Sequence, residues 1–364
     1  MKKILFGITS LSFGGAERVL IDLANRLTSE YEITILTIYK KGELEKQLNN
    51  KVKLISLYEK QFSEYSKIQK LMISLKLLFV DKPPKAYDTY IAFLEGPATR
   101  LFSKLKHSKK IVWVHNDISK VFGNNLKSKI KKLLDKKVYK KYEKIVFVSE
   151  ENRQDFNNLY GDMKNEVIIR NYLDYNKVLE KSEEKIDLPY EDNNINLVSV
   201  CRLVEQKAID RFIKVHAKLE NEGIHSKVYI IGDGPEKEKL KQKIQELNEE
   251  DKFFLLGAKE NPYPYIKNAN YFCLLSNYEG YGMVLDEAKI LNKPIIITDT
   301  ASRESLEKYN NGIILENSEK GIYKGLKKTL NSDIIITDFD EKDRIKETEK
   351  YYDNIISKIK SIIS

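Results

Sequence analysis

The sequence predicts an α/β protein built from two doubly wound parallel-sheet domains in tandem. Three observations predict it. Short, continuously apolar runs alternate with helical patterns from end to end. The alternation restarts after a polar stretch near the middle of the chain. The 364 residues, 41% of them hydrophobic, suffice for two cores of ordinary size.

In the first half the strand candidates are Lys3–Thr9, Glu32–Ile38, Val52–Leu57, Thr89–Leu94, Lys110–His115, Lys144–Ser149 and Glu166–Asn171. Several are apolar throughout, as strands covered on both faces must be. Helical spacing fills the gaps, notably Ala16–Leu27, Tyr65–Val80 and Leu126–Tyr142. This βαβα order implies parallel strands joined by right-handed crossovers. The second half offers Asn196–Cys201, Lys227–Gly232, Lys252–Gly257, Tyr271–Ser276, Pro294–Asp299 and Gly312–Leu315. Between the halves, the polar residues 179–194 with Pro189 read as a linker. The expected domains are therefore 1–178 and 195–340, each Rossmann-like, facing a central cleft at their strands' carboxyl ends. Residues 341–364 read as an amphipathic helix that packs back on the first domain.

Composition narrows the class. No run of about 18 apolar residues occurs, so no helix is expected to span a bilayer. The apolar N-terminus soon reaches Gly14-Gly15-Ala16-Glu17-Arg18 and reads as a first strand, not a leader; a cytoplasmic protein is expected. Cys201 and Cys273 both lie inside apolar runs, consistent with a reducing compartment. The net charge of +9 is uneven: residues 1–180 hold 34 Lys/Arg against 21 Asp/Glu, residues 181–364 hold 29 against 33. The excess is nearly all Lys, which favours nonspecific attraction to an anionic surface.

The strongest chemical signal is the run Ser276-Asn277-Tyr278-Glu279-Gly280-Tyr281-Gly282-Met283-Val284, with Glu287 one helical turn beyond Met283. Gly280 and Gly282 permit a tight turn. A helix starting at Met283 and Val284 offers free N–H groups and a positive dipole end to a phosphate. Glu287 suits ribose hydroxyls, and Glu279 suits sugar hydroxyls. A second signal, Cys201-Arg202-Leu203-Val204-Glu205-Gln206-Lys207, puts two cations after a strand end, where Arg202 and Lys207 together match a diphosphate leaving group. Gly232-Asp233-Gly234-Pro235 is a strand-to-helix turn, Gly14-Gly15 a flexible loop before a helix, and His115 a polar group ending an apolar strand.

Several chemistries find no support. Four scattered His give no zinc cluster, and neither a P-loop nor a nucleophile elbow occurs. Asp338-Phe339-Asp340 matches a metal-binding D-x-D pattern but lies in a charged stretch far from the strand ends, so no metal or cofactor is expected. A basic nucleic-acid-binding protein is an alternative from another class, but no RRM or KH module appears and no nucleic acid is expected. A nicotinamide oxidoreductase lacks its G-x-G-x-x-G.

Taken together these motifs resemble glycosyltransferase family 4. The likeness rests on Gly14-Gly15, His115, the pair Arg202 and Lys207, Gly232–Pro235, and the Glu-x7-Glu formed by Glu279 and Glu287. The run Ala92-Phe93-Leu94-Glu95-Gly96-Pro97-Ala98-Thr99 is similar to that of members building bacterial lipopolysaccharide and capsule. Cys201 and Ala208 depart from the small residue and the Gly usual there. The resemblance implies the two-domain GT-B fold, with an acceptor-binding first domain and a donor-binding second. It implies a retaining, metal-independent transfer from a nucleotide sugar, most often a UDP-sugar, to a saccharide acceptor, with a glycolipid or protein acceptor as alternatives. Arg202 and Lys207 would hold the diphosphate, Glu279 the sugar, Glu287 the ribose, and amides of Gly280, Tyr281, Gly282, Met283 and Val284 sugar and phosphate. Gly14, Gly15 and His115 would close the site, and Gly232 would line it.

Leu126–Tyr142 adds one expectation. Leu126, Ile130, Leu133, Leu134 and Val138 recur at helical spacing and are expected to pack on the sheet. Lys131, Lys132, Lys136 and Lys137 are then free to attract an anionic membrane by charge alone. That places the protein at the inner face of the cell membrane, acting on a lipid-linked acceptor.

Overall fold

The computed structural model describes residues 1–12, 14–39, 42–106, 108–115, 126–185, 190, 194–279, 281–307, 309–332 and 341–364. The chain forms two compact units, Met1–Asp174 together with Lys350–Ser364, and Tyr175–Glu349.

The first unit runs β1 (Lys2–Ile8), α1 (Gly15–Leu27), β2 (Tyr31–Tyr39), β3 (Lys53–Tyr58), α2 (Lys67–Phe79), β4 (Thr89–Ala92), α3 (Pro97–Phe102), β5 (Lys109–Val114), α4 (Leu126–Tyr139), β6 (Lys144–Phe147), α5 (Glu150–Tyr160) and β7 (Glu166–Ile168). Its seven strands are parallel in the order β3-β2-β1-β4-β5-β6-β7. The order reverses between β1 and β4, so the loops after these strands diverge and leave a crevice. On one face, Ile73 and Leu77 of α2, Leu101 and Phe102 of α3, Tyr139 of α4 and Phe156 and Tyr160 of α5 pack with strand residues such as Leu5, Val112 and Phe147 into one core.

The second unit runs α6 (Tyr175–Ser182), β8 (Asn196–Val200), α7 (Ile209–Asn221), β9 (Lys227–Ile231), α8 (Lys237–Glu246), β10 (Phe253–Gly257), α9 (Tyr263–Asn268), β11 (Tyr271–Leu274), α10 (Met283–Ile290), β12 (Ile295–Thr298), β13 (Gly312–Leu315) and α11 (Glu319–Leu330). The six parallel strands lie in the order β10-β9-β8-β11-β12-β13, reversing between β8 and β11.

The last helix, α12 (Glu341–Ile363), begins in the second unit and ends in the first. Tyr352, Ile355, Ile356, Ile359 and Ile363 are buried, one stripe at helical spacing. Within the first unit, Tyr352 meets Tyr172 edge to face, Thr89 Oγ1 donates to the Ile363 carbonyl at 3.1 Å, and Lys2 Nζ donates to that of Ser364 at 2.7 Å.

Two expectations need correction. Residues 179–182 are not linker but the end of α6, whose Val178 and Ser182 are buried. Charge and polarity there belong to the exposed side of an amphipathic helix, which composition alone does not distinguish from a linker. The apolar stripe of α4 is not wholly core. Val138 is half-buried and Tyr139 buried, but Leu133 and Leu134 are 64% and 57% exposed. The helix turns its buried side through Asp135, which Arg100 of α3 holds with three hydrogen bonds of 3.0–3.3 Å. Side-chain placement on α4 is not described for Lys131 and the residues before it.

Candidate active site

The site in the second unit is made where β8 and β11 lie side by side, from the loops beyond their carboxyl ends. β11 leaves the ladder at Leu274 although Leu275 and Ser276 remain buried. Their carbonyls are taken by side chains: Arg211 donates to Leu275 at 2.9 Å, and Thr298 Oγ1 donates to Ser276 at 2.6 Å. The chain is thus free to turn over the sheet edge while its backbone groups stay satisfied.

Two turns are stitched together there. Asn277 N–H donates to the Gln206 carbonyl at 2.8 Å, Gln206 Nε2 to the Tyr278 carbonyl at 3.0 Å, and Asn277 Nδ2 to the Glu205 carbonyl at 3.1 Å. This frame brings Lys207 and Glu279 into a direct ion pair, with side chains only 15% and 10% exposed. Ser276 Oγ donates to the same Glu279 oxygen at 3.1 Å. Arg202 is exposed, and among the described residues its guanidinium has no hydrogen-bond or ion-pair partner. The strand end therefore carries one cation already paired and one facing solvent. Burial pushes the Cys201 thiol up to about 11, with neighbouring Lys207 opposing the shift, so this cysteine is an inert wall.

The glycines explain the loop shapes. Gly232 has φ +146°, and a Cβ there would stand 1.8 Å from the Cys201 carbonyl oxygen; at Gly234 it would stand 2.3 Å from that of Leu203. These two glycines let the turn after β9 press on the backbone carrying Arg202, where Leu203 N–H donates to the Asp233 carbonyl at 3.0 Å. Their observed role is close approach. Ala208, left-handed at φ 49°, ψ 39°, occupies a conformation that favours glycine.

Gly282, left-handed at φ 64°, precedes α10, and no side chain caps the helix start at Met283 and Val284. The Tyr281 side chain is buried, its hydroxyl 3.3 Å from Asp286 Oδ1, so only its backbone is available to a ligand. Glu287 is 1% exposed, and the Tyr263 hydroxyl donates to its Oε1 at 3.5 Å. Gly280 lies outside the described residues, as do Asp338 and Asp340. Among the described residues, no group of three or more His, Cys, Asp or Glu is arranged to hold a metal ion.

In the first unit, Gly14 and Gly15 are exposed at the start of α1, on the loop after β1. A Cβ on Gly14 would stand 2.1 Å from Glu17 Oε2, so the Glu17 carboxylate folds back over the glycine loop, and burial raises its pKa. His115 follows β5. Its N–H donates to Glu95 Oε1 at 2.5 Å, and its ring lies 4.9 Å from that of Phe93. The residue as a whole is half-buried, but Nε2 is enclosed without a hydrogen-bond partner among the described residues. Burial lowers its pKa to about 3, offset in part by a hydrogen bond to the Phe93 backbone. His115 is therefore neutral at physiological pH. Glu17 and Glu95 are the residues that motif reading passed over. Both stood inside runs already singled out, 12–18 and 92–99, but as acids beside glycines they carried no signal until the loops folded around them.

The glycosyl transferases group 1 family matches residues 180–350, the stretch that holds Arg202, Lys207, Glu279 and Glu287. The N-acetylgalactosamine-N,N'-diacetylbacillosaminyl-diphospho-undecaprenol 4-alpha-N-acetylgalactosaminyltransferase of Campylobacter jejuni is 27% identical over 372 residues, covering 98% of this chain and 97% of that one. An uncharacterized glycosyltransferase of Methanocaldococcus jannaschii is 30% identical over 267 residues, covering 71% of this chain and 66% of that one. Among solved structures, Anabaena HepE in complex with UDP and glucose superposes with a TM-score of 0.75 at 17% identity, covering 99% of this chain and 100% of that one. The chain has the GT-B fold, and its sequence is similar to those of glycosyltransferases. Among the described residues, no helix is long and apolar enough to cross a membrane.

Proposed function

We propose that this chain is a glycosyltransferase that moves a sugar from a UDP-sugar to a lipid-linked saccharide, with retention of configuration and without a metal ion, in the building of a bacterial surface polysaccharide. The observation that carries the donor half is the frame holding Lys207, Glu279 and the exposed Arg202 at the β8/β11 edge. In the donor complex the diphosphate draws on Lys207 and Arg202, and the Glu279 carboxylate turns to the sugar hydroxyls. The anomeric carbon–oxygen bond breaks with its electron pair going to the diphosphate, whose growing charge the two cations stabilise. The acceptor hydroxyl bonds to the same carbon on the same face and gives its proton to the departing phosphate oxygen. No separate protein base is needed. The backbone N–H groups at Met283 and Val284 meet phosphate oxygens, and Glu287 meets the ribose.

UDP as the nucleotide is supported by the resemblance and by the ligand of HepE. The lipid-linked acceptor is supported by the Campylobacter relative, named for a diphospho-undecaprenol saccharide, and by the lysines of α4, of which Lys137 is exposed and Lys132 and Lys136 half-buried. The test is a thermal-shift series with UDP, GDP and NADH, followed by product analysis with UDP-sugars and undecaprenol-diphosphate-linked saccharides. A shift with UDP, and a product with the newly made bond in the donor's anomeric configuration, are the expected results. A shift with NADH alone, or an inverted product, overturns the proposal.

A further inference from the structure

We propose that α2 is a membrane-inserting helix, and that the first unit attaches to an anionic lipid bilayer by burying this helix's outer face among the acyl chains. This rests on the lipid-linked acceptor argued above, and it replaces attachment by charge alone.

The observation is an apolar face that nothing among the described residues covers. Ile68, Leu71, Met72, Leu75 and Phe79 are 73%, 63%, 53%, 48% and 80% exposed, and Val80 just beyond is 64% exposed. At 3.6 residues per turn the five helical ones share an arc of about 100°. Ile73 and Leu77, on the opposite side, are buried and already dock the helix on its sheet. The exposed stripe is thus surplus to folding. A soluble surface rarely carries so many large apolar side chains in one row. The helix is well formed at its start: Ser66 and Gln69 cap it reciprocally, at 3.3 and 2.9 Å.

Charge selects the occupant. No Asp or Glu lies between Tyr65 and Val80, whereas Lys67 and Lys76 flank the apolar arc, one on each side, and Lys82 and Lys85 follow, exposed. Lysines bordering an apolar stripe extend their heads to lipid phosphates while the stripe enters the acyl region. A second copy of this chain on the same face would set lysine against lysine with no acid within the helix to offset them; the nearest, Glu64 and Asp81, stand beyond its two ends. The neighbouring α4 repeats the theme in the same helical layer. Leu133 and Leu134 are exposed there beside Lys137, with α3 between the two helices. Apolar insertion plus lysine attraction supplies the two signals that stable peripheral attachment needs.

The test uses the full chain carrying Phe79→Trp, with native Trp113 buried as a constant background. Vesicles contain equal parts phosphatidylglycerol and phosphatidylcholine, with and without brominated acyl chains. The introduced indole is expected to shift to the blue and to be quenched by bromine. In the otherwise native chain, Leu71→Ser, Leu75→Ser and Phe79→Ser together are expected to lower vesicle partitioning by ~10-fold or more at about 0.5 M NaCl, where charge attraction is screened. Far-ultraviolet circular dichroism and the UDP thermal shift should stay unchanged, because these side chains are exposed and far from the UDP-binding unit in sequence. An unquenched indole on vesicle-bound protein, or unchanged partitioning of the triple variant, overturns insertion and leaves attraction by charge. No vesicle binding at low salt overturns both. A dimer that the triple variant dissolves, with vesicle binding intact, makes the face a self-interface and overturns insertion. Transfer to a lipid-free acceptor as efficient as to a lipid-linked one, with insertion intact, overturns the acceptor assignment alone.

Discussion

Lys207 and Glu279, 72 residues apart in the chain, form an ion pair across the β8/β11 edge, with the Ser276 hydroxyl on the same carboxylate oxygen. The pair joins the two motifs that sequence reading treats separately, one for phosphate and one for sugar. Each charge holds the other in place; in the proposed reaction a donor would supply a diphosphate for the cation and hydroxyls for the anion.

Lys207→Ala and Arg202→Ala are each expected to lower turnover by ~100-fold or more at saturating donor, as when a charge-stabilising group leaves a transition state. Their stability effects should differ. Removing Lys207 strands a largely buried carboxylate, whereas Arg202 is exposed. Adding Glu279→Gln to Lys207→Ala should recover part of the loss, a coupling of about 1–3 kcal/mol. Urea unfolding of the single and double variants measures it. Strict additivity would mean that the pair contributes nothing to the fold.

Glu287→Ala is expected to weaken UDP binding, and Glu279→Ala to spare UDP while impairing use of the sugar. Glu287 is buried on α10 beside Tyr263, whereas Glu279 stands at the turn. Calorimetry with UDP, alongside turnover with a UDP-sugar, separates the two. UDP affinity lost with Glu279→Ala and kept with Glu287→Ala would reverse the roles.

Activity is expected to persist in excess EDTA, because Arg202 and Lys207 offer the diphosphate the positive charge a metal would otherwise bring. Loss on chelation, restored by manganese or magnesium, would overturn this and direct attention to Asp338 and Asp340.

His115 should make the protein less stable in acid. Its folded pKa is lowered to about 3 by burial, against an ordinary value near 6.5. Between those values the unfolded chain binds a proton that the folded chain does not. Stability therefore falls as pH drops below about 6.5, by at most about 1.4 kcal/mol per pH unit, until pH nears 3. The slope from this group is absent in His115→Gln. Melting temperatures at pH 7 and pH 5 should fall further in the wild type than in the variant; equal falls would place the proton elsewhere.

Ala208→Gly is expected to leave the melting temperature unchanged or to raise it by a few degrees. The left-handed backbone costs a non-glycine residue about 1–2 kcal/mol. Glycine removes that strain but loses about 0.4–1 kcal/mol through the freer unfolded chain. A marked drop would show that the buried methyl group contributes more to packing than the strain costs.

The sequence by itself determined the two-sheet architecture. Burial of a parallel strand on both faces demands unbroken apolar runs, and those runs are readable wherever they occur. Lys3–Thr9 and Gly312–Leu315 were found to within a residue for that reason. It also determined which residues stand past strand ends, since Arg202 and His115 directly follow apolar runs, and Glu279 and Lys207 come within the next few residues of one. Only the tertiary structure decided what those residues meet. Lys207 finds Glu279 because the strand order reverses between β8 and β11, and no local pattern encodes that neighbour. The same holds for the helix faces. Periodicity shows that α2 and α4 carry apolar residues at helical spacing, but not which of them the sheet covers. Ile73 and Leu77 are buried, whereas Leu71, Leu75, Leu133 and Leu134 are exposed. Side chains of the same hydrophobicity are told apart only by the layer packed against them.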